Sequence, residues 1–323
     1  MVALILVIMS KRLPRIVHCQ SFYQMRLMNT MTEIASQPLP QVKLLLLRGG
    51  GDLTPVIMQG WFGYHHYFPS HETLPIFVGT HFAESIYKAL EYFVAYYPYY
   101  FVFKEIGCRD LETLRFCQRL GIQAYLSRCL TLTLPKREES LSKSADKVFL
   151  VGIPDNLLEY IPQDLRQNAV RINQQSVKIE ESLNPRDYEA KTRTLLETYK
   201  KEAKLIITCA LHCAAPCTAF GIPVVLIARN QENINRFSAV NGILKVWSIE
   251  DLKAKRVNFN PTAPNIESLK SNMLENLNLS IQKEFGESID ETRLQVVRQA
   301  IAEFKAENLD TLDSAHFCGG GGI

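Results

Sequence analysis

Leu205-Ile206-Ile207-Thr208-Cys209-Ala210-Leu211-His212-Cys213-Ala214-Ala215-Pro216-Cys217-Thr218-Ala219-Phe220-Gly221-Ile222-Pro223-Val224-Val225-Leu226-Ile227 decides the fold. An apolar run of β type ends in a turn carrying His212. Small residues follow, with Pro216 suited to the first turn of a short helix. Gly221 stops that helix, and Pro223 opens a second β-branched run. Strand, loop, helix and strand in that order predict half of a parallel α/β sheet, with His212 at a strand's carboxyl end. Ligands of such sheets bind outside the carboxyl ends of the strands. His212 is therefore a candidate site residue; the alternative is a histidine packed under the helix.

The same alternation extends in both directions. Residues 42–47 and 54–59 read as buried strands split by Arg48-Gly49-Gly50-Gly51-Asp52. Those glycines match neither a Walker loop nor a dinucleotide fingerprint and read as a turn. A short strand is expected at 76–78, a helix at 83–97 and a strand at 99–103. Asp110 can cap a helix running to Leu120, closed by Gly121. Short strands are expected at 123–126 and 130–134. The charged, serine-rich stretch 136–147 reads as a link, after which 148–151 opens a second domain. Pro185 starts a helix to about residue 203, with Tyr188, Leu195, Leu196 and Tyr199 as its buried stripe. From Asn265 the chain reads as helical, part of it packing back across the first domain. The expectation is an α/β protein of two Rossmann-like domains, residues 1–140 and 147–285, followed by a helix and a Gly-rich tail over 286–323.

At 323 residues and 47% hydrophobic composition, the chain can bury ordinary cores. A net charge of +3 does not argue for nucleic acid, which calls for a clustered basic face. It is compatible with a small anionic substrate. The eight cysteines read as reduced thiols in a long, core-rich chain with no visible secretory signal. The apolar run Met1 to Met9 is too short to span a bilayer and lacks the flanks of a signal peptide. It reads as a buried strand, so the expectation is a cytoplasmic protein without an integral membrane segment.

Four blocks carry a resemblance. The Leu211-His212-Cys213-Ala214 block is similar to the motif Ser-Arg-Leu-His-(Gly or Cys)-Ala-Leu-Pro of the polysaccharide pyruvyl transferase family. Ile106-Gly107-Cys108-Arg109-Asp110, with Ser127-Arg128-Cys129-Leu130-Thr131-Leu132-Thr133-Leu134, is similar to that family's Gly-Cys-Arg-Asp and Ser-Gly-Cys-Leu-Thr-Leu-Thr-Leu segments. Gly60-Trp61-Phe62 through Gly79-Thr80-His81-Phe82, and Asn235-Arg236-Phe237-Ser238 through Pro261, complete the set in family order. Together they cover about residues 42–280.

The resemblance implies a glycosyltransferase B-type arrangement of the two domains with the active site in the cleft. It also implies transfer of a pyruvyl group from phosphoenolpyruvate to a sugar of a polysaccharide, forming a ketal, with no cofactor. His212 matches the proposed general acid, a role suited to imidazole near neutral pH. Arg109 matches a cation for carboxylate or phosphate; its other reading is a structural pair with Asp110. Ser127 and Thr131 stand as hydroxyls for phosphate or sugar, or as groups satisfying local backbone. Arg236 stands as a second cation or as a solvated surface arginine. Cys209, Cys213 and Cys217 recur every four residues, yet one end lies on a strand and the other inside a helix. Buried thiols are the better reading than a metal cluster.

Two departures from the family pattern stand out. Ala210 occupies the motif's arginine position, and nothing upstream of Leu13-Pro14-Arg15-Ile16 matches the family's glycine-rich opening loop, so the first β-α unit reads as shortened. Two rivals follow: a glycosyltransferase using a nucleotide sugar, and a non-catalytic carbohydrate- or protein-binding relative.

Overall fold

The computed structural model describes residues 54–63, 73–97, 101, 104–173, 185–307 and 309. The expectations for the apolar amino terminus, Leu13-Pro14-Arg15-Ile16, residues 42–47, the glycine turn at 48–52 and the Gly-rich tail lie outside them. So does the side chain of Tyr188.

The molecule is mixed α/β with parallel sheets, as in Rossmann-like folds. Strands β1 (Thr54–Ile57), β2 (Gly60–Phe62), β3 (Thr73–Ile76), β4 (Val78–Phe82), β5 (Ile106–Cys108) and β6 (Ala124–Leu126) form one half. β1 pairs with β3, and β2-β4-β5-β6 make a four-stranded sheet, all parallel. The pairing of β4 with β5 shifts register between Val78 and Thr80, where Gly79 takes φ +77. A side chain at Gly107 would place its Cβ 2.6 Å from the Phe77 carbonyl, and the Gly107 N–H bonds that same oxygen. Only glycine permits this close approach.

The other half is a five-stranded parallel sheet. In chain order its strands are β7 (Lys147–Val151), β8 (Val170–Ile172), β9 (Ala203–Thr208), β10 (Val224–Ala228) and β11 (Val246–Ser248), in spatial order β11-β10-β9-β7-β8. β10 is buried along its whole length, and β9 at every position but Lys204. That is why both read as continuous apolar runs: a parallel sheet is covered on both faces. Ile207, Val225 and Ile227 are fully buried, each contributing about 1.5–3 kcal/mol of hydrophobic stabilisation.

Among the helices, α1 (Tyr87–Tyr96) and α2 (Leu111–Arg119) belong to the first half. α3 (Glu139–Ser144) lies within the expected link, and that link is anchored: the buried Arg137 donates to the carbonyls of Ala203 and Lys200. α4 (Gln163–Gln167) and α5 (Pro185–Glu202) follow, and Leu196 and Tyr199 of α5 are buried as expected. α6 (Leu211–Ala219) and α7 (Gln231–Phe237) connect strands of the second sheet, and α8 (Ile249–Lys253) follows β11. α9 (Glu267–Glu284) and α10 (Glu291–Glu303) then pack against β3 and β6 of the first half. Arg298 of α10 stacks on Tyr125 and pairs with Glu105.

Three local expectations need correction. Residues 130–133 form a buried 3-10 helix rather than a strand, wedged against α6 and α9. Phe101, expected in a strand, is helical. The helix after β9 begins at Leu211, so His212 sits in its first turn, and Pro216 lies inside the helix instead of opening it. Proline carries no N–H, so the carbonyl of His212, four residues earlier, loses its helical donor. One apolar core joins Ile76, Val78, Leu130 and Leu132 of the first half to α6, β9, β10 and α9 of the second.

Candidate active site

The site is built from strand ends. β5 leads directly into Arg109 and Asp110, and Asp110 caps α2 by accepting from the Thr113 N–H at 3.0 Å. Asp and Asn are strong caps because the short carboxyl or amide reaches the unpaired donors of the first turn. The rest of that carboxylate is equally occupied. Its Oδ1 accepts from Thr113 Oγ1 at 2.9 Å, and its Oδ2 accepts from Arg109 Nε at 3.3 Å and from His81 Nδ1 at 2.6 Å. Arg109, Asp110 and His81 are all within 1% of full burial. Burial opposes the Asp110 charge, but its bond to His81, that ring's charge, the Arg109 guanidinium and the Thr113 N–H together hold its pKa below the usual range.

His212 comes from the other sheet. Every residue of α6 is buried except His212, which keeps part of its surface open. Its ring makes no hydrogen bond with the described residues. Burial first, then the charges of Arg109 and Arg236, lower its pKa to about 3. The same charges act on His81, whose pKa is lowered by burial and Arg109 against the opposing pull of Asp110. His81, Arg109, His212 and Arg236 therefore share one electrostatic neighbourhood. Arg236, on α7, makes a loose contact with Glu232, at 3.7 Å. Its Nε and the Nη2 of Arg109 are both buried with no hydrogen-bond partner among the described residues. Unpaired buried guanidinium nitrogens are costly, and an anion is the group that satisfies them. The Leu111 N–H, donating to Ser238 Oγ at 2.9 Å, ties α2 to the segment after α7 and fixes this juxtaposition.

Sequence reading brought together three of its five site residues here: Arg109, His212 and Arg236. The other two hydroxyls are engaged elsewhere. Ser127 Oγ accepts from the Gly79 N–H at 2.8 Å and donates to the Cys108 carbonyl, tying β6 to its neighbours. Thr131 Oγ1 lies in the buried 3-10 helix, 3.0 Å from Cys129 Sγ. Cys209, Cys213 and Cys217 are buried thiols, and burial pushes Cys209 up to about 11. Among the described residues no three His, Cys, Asp or Glu side chains gather as a metal group.

Two residues escaped the sequence reading. His81 lay in a quoted block, near the end of β4 as His212 lies just past β9, and that shared position was the available signal. Arg128 stands where the family segment has glycine and takes φ +59, the left-handed region glycine favours. Its buried guanidinium donates to five backbone carbonyls, of Ala239, Asn241, Ile301, Ala302 and Phe304. Burial without a carboxylate lowers its pKa to about 10.

A cavity of about 370 Å³ adjoins the cluster, lined by Tyr87, Glu112, Arg115, Phe116 and Asn235. A larger one, about 680 Å³, opens beside Val224, Lys245 and Trp247, at the amino ends of β10 and β11 and away from the cluster.

No match is found among curated proteins or among solved structures. The family model for polysaccharide pyruvyl transferase matches residues 9–231, which takes in His81, Arg109 and His212 and stops just short of Arg236. With the match extending over well over half of its length, and with the family's histidine and arginine meeting at one pair of strand ends, the chain belongs to the polysaccharide pyruvyl transferase family.

Proposed function

We propose that the protein transfers the pyruvyl group of phosphoenolpyruvate to sugar hydroxyls of a polysaccharide or glycan intermediate, forming a ketal, in the cytoplasm. In this reading the two sheets act as a glycosyltransferase B-type pair, with donor and acceptor held between them. The observation that carries it is the pair of unpartnered buried guanidinium nitrogens, Arg109 Nη2 and Arg236 Nε, beside His212. Phosphoenolpyruvate brings a carboxylate and a phosphate, the two anions such forks bind best.

The donor also sets the state of His212. With the site empty, burial first and then two cations keep the ring neutral. An anion between them offsets that charge, so the ring takes up a proton as the donor arrives. The proton is then held beside the methylene carbon it must reach, poised to leave because the arginines still destabilise the imidazolium. The 370 Å³ cavity, with the Tyr87–Phe116 ring stack on one wall and Glu112 on another, is the proposed place for the acceptor sugar.

Phosphate release from phosphoenolpyruvate, followed against a panel of methyl hexopyranosides, tests the reading, with isothermal titration of the donor alongside. Phosphate release that depends on a sugar is expected. Binding of nucleotide sugars without phosphoenolpyruvate binding points instead to the glycosyltransferase rival. Ala210, which leaves the motif's arginine position uncharged, favours a second reading, a non-catalytic relative; sugar binding with no turnover of either donor would establish it.

A further inference from the structure

We infer that His81 is the general base that takes the proton of the attacking sugar hydroxyl, with Asp110 as its positioning residue. The inference rests on the pyruvyl-transfer reading.

Two histidines of unlike surroundings occupy the site. His212 is backed by cations and bonded to nothing among the described residues. His81 is backed by a carboxylate, 2.6 Å from its Nδ1. An ionised carboxylate only accepts, so Nδ1 carries the hydrogen and Nε2 presents its lone pair. A carboxylate bonded to the far ring nitrogen fixes tautomer and ring direction in the same way at other catalytic histidines. Nε2 has no partner among the described residues, and it is not one of the sealed, unpartnered atoms, which in this cluster are Arg109 Nη2 and Arg236 Nε. The carboxylate also stabilises the imidazolium that forms when the ring accepts a proton, opposing the pull of Arg109 and Arg236 that on His212 no carboxylate offsets. One ring is built to take a proton and the other to give one.

The chemistry needs both. His212 protonates C3 of phosphoenolpyruvate, turning the methylene into a methyl and making C2 electrophilic. The first sugar oxygen bonds to C2, and its proton passes to His81 Nε2. The second sugar oxygen then bonds to C2 as the bond from C2 to the phosphate oxygen breaks. Its proton leaves with the phosphate as hydrogen phosphate. Of the two hydroxyl protons, one departs with phosphate, and the one on His81 returns to solvent and replaces that spent by His212.

The test uses the full chain, with phosphoenolpyruvate and methyl hexopyranosides bearing free 4- and 6-hydroxyls, and with water alone standing in for the sugar. His81→Gln should lower kcat for phosphate release on the order of a hundredfold while leaving KM for phosphoenolpyruvate unchanged. The acid limb of the kcat profile should disappear with it. The charged groups acting on that limb are Asp110, Arg109 and Arg236 around His81, and His212 beside them. A structural role would shift melting and leave the limb in place. If His81→Gln does not fold, nitrogen-15 spectra of the wild-type protein decide: a proton on Nδ1 and a bare Nε2 are expected, and a proton on Nε2 overturns the inference. An active wild type alongside a fully active His81→Gln overturns this inference alone. A wild type that releases no phosphate with any acceptor overturns the pyruvyl reading, and this one with it.

Discussion

The carboxyl edges of the two sheets meet at one site but are built in opposite ways. At the edge of β4 and β5, every oxygen of Asp110 is engaged, and the carboxylate fixes a histidine, an arginine and a helix cap at once. At the edge of β9, Ala210 caps α6 without a side-chain bond, and the one open residue of that helix, His212, is bonded to nothing among the described residues. The first edge is a preassembled network; the second is a single free ring on a buried helix. Preorganisation belongs where charge must be held, and freedom where a proton must be exchanged.

The sharpest way to break this comparison is to remove its central carboxylate. Asp110→Ala leaves buried Arg109 and His81 without their shared partner, a change that costs about 3–5 kcal/mol. Urea unfolding should show that loss together with loss of phosphoenolpyruvate binding. His212→Gln is the counterpart on the other edge. Turnover should fall on the order of a hundredfold or more, while the melting temperature stays close to that of the wild type, because the ring has no hydrogen bond to lose. A large melting shift would make His212 a packing residue.

A third measurement exploits protons. Titration of phosphoenolpyruvate near pH 7, in buffers of different ionisation enthalpy, should reveal proton uptake on binding, absent in His212→Gln. Stability carries the same signature. The folded pKa values of His212 and His81 lie below the unfolded value of about 6.5, so the unfolded chain binds more protons in acid. Their neutral burial is without cost above about pH 6.5, and stability is lost as pH falls below it toward the folded values. Melting between pH 8 and pH 5 should follow that direction, with a shallower slope in His212→Gln. The smallest effect is expected from Ala210→Arg, which restores a cation beside the open edge and should strengthen phosphoenolpyruvate binding by roughly tenfold, the worth of one charge-assisted hydrogen bond.

Much of this was legible in sequence. The β9-α6-β10 unit could be read because a parallel strand buried on both faces is an uninterrupted apolar run, and α2 because Asp110 and Gly121 mark its ends. Leu130 to Leu134 misled because alternation of threonine and leucine imitates a strand, while a 3-10 helix wedged between elements buries all its positions and loses the signal. Pro216 misled because proline favours a first turn, and tertiary burial of the whole helix overrode that preference. Arg109, Arg236 and His212 could be named from motifs, but that their charges act on one another depends on how α2 meets α7. Nothing local to either helix encodes that meeting. His81 was hidden for a related reason: its partner is 29 residues away and becomes a neighbour only when β4 and β5 pair. Ser127 and Thr131 show the converse, since hydroxyls beside a motif are as readily spent on the backbone as on a ligand.

Arg128 has a consequence for the order in which the chain matures on the ribosome. Its five carbonyl partners lie 111 to 176 residues downstream, the last of them at Phe304. Until that residue has left the exit tunnel, the first sheet holds a cation destined for the interior with at most part of its set of carbonyls. Emergence of α10 and the residues just after it is what completes that set. A stop codon placed just before residue 301 would take three of the five carbonyls from that guanidinium, and such a product is a natural target for cellular proteolysis.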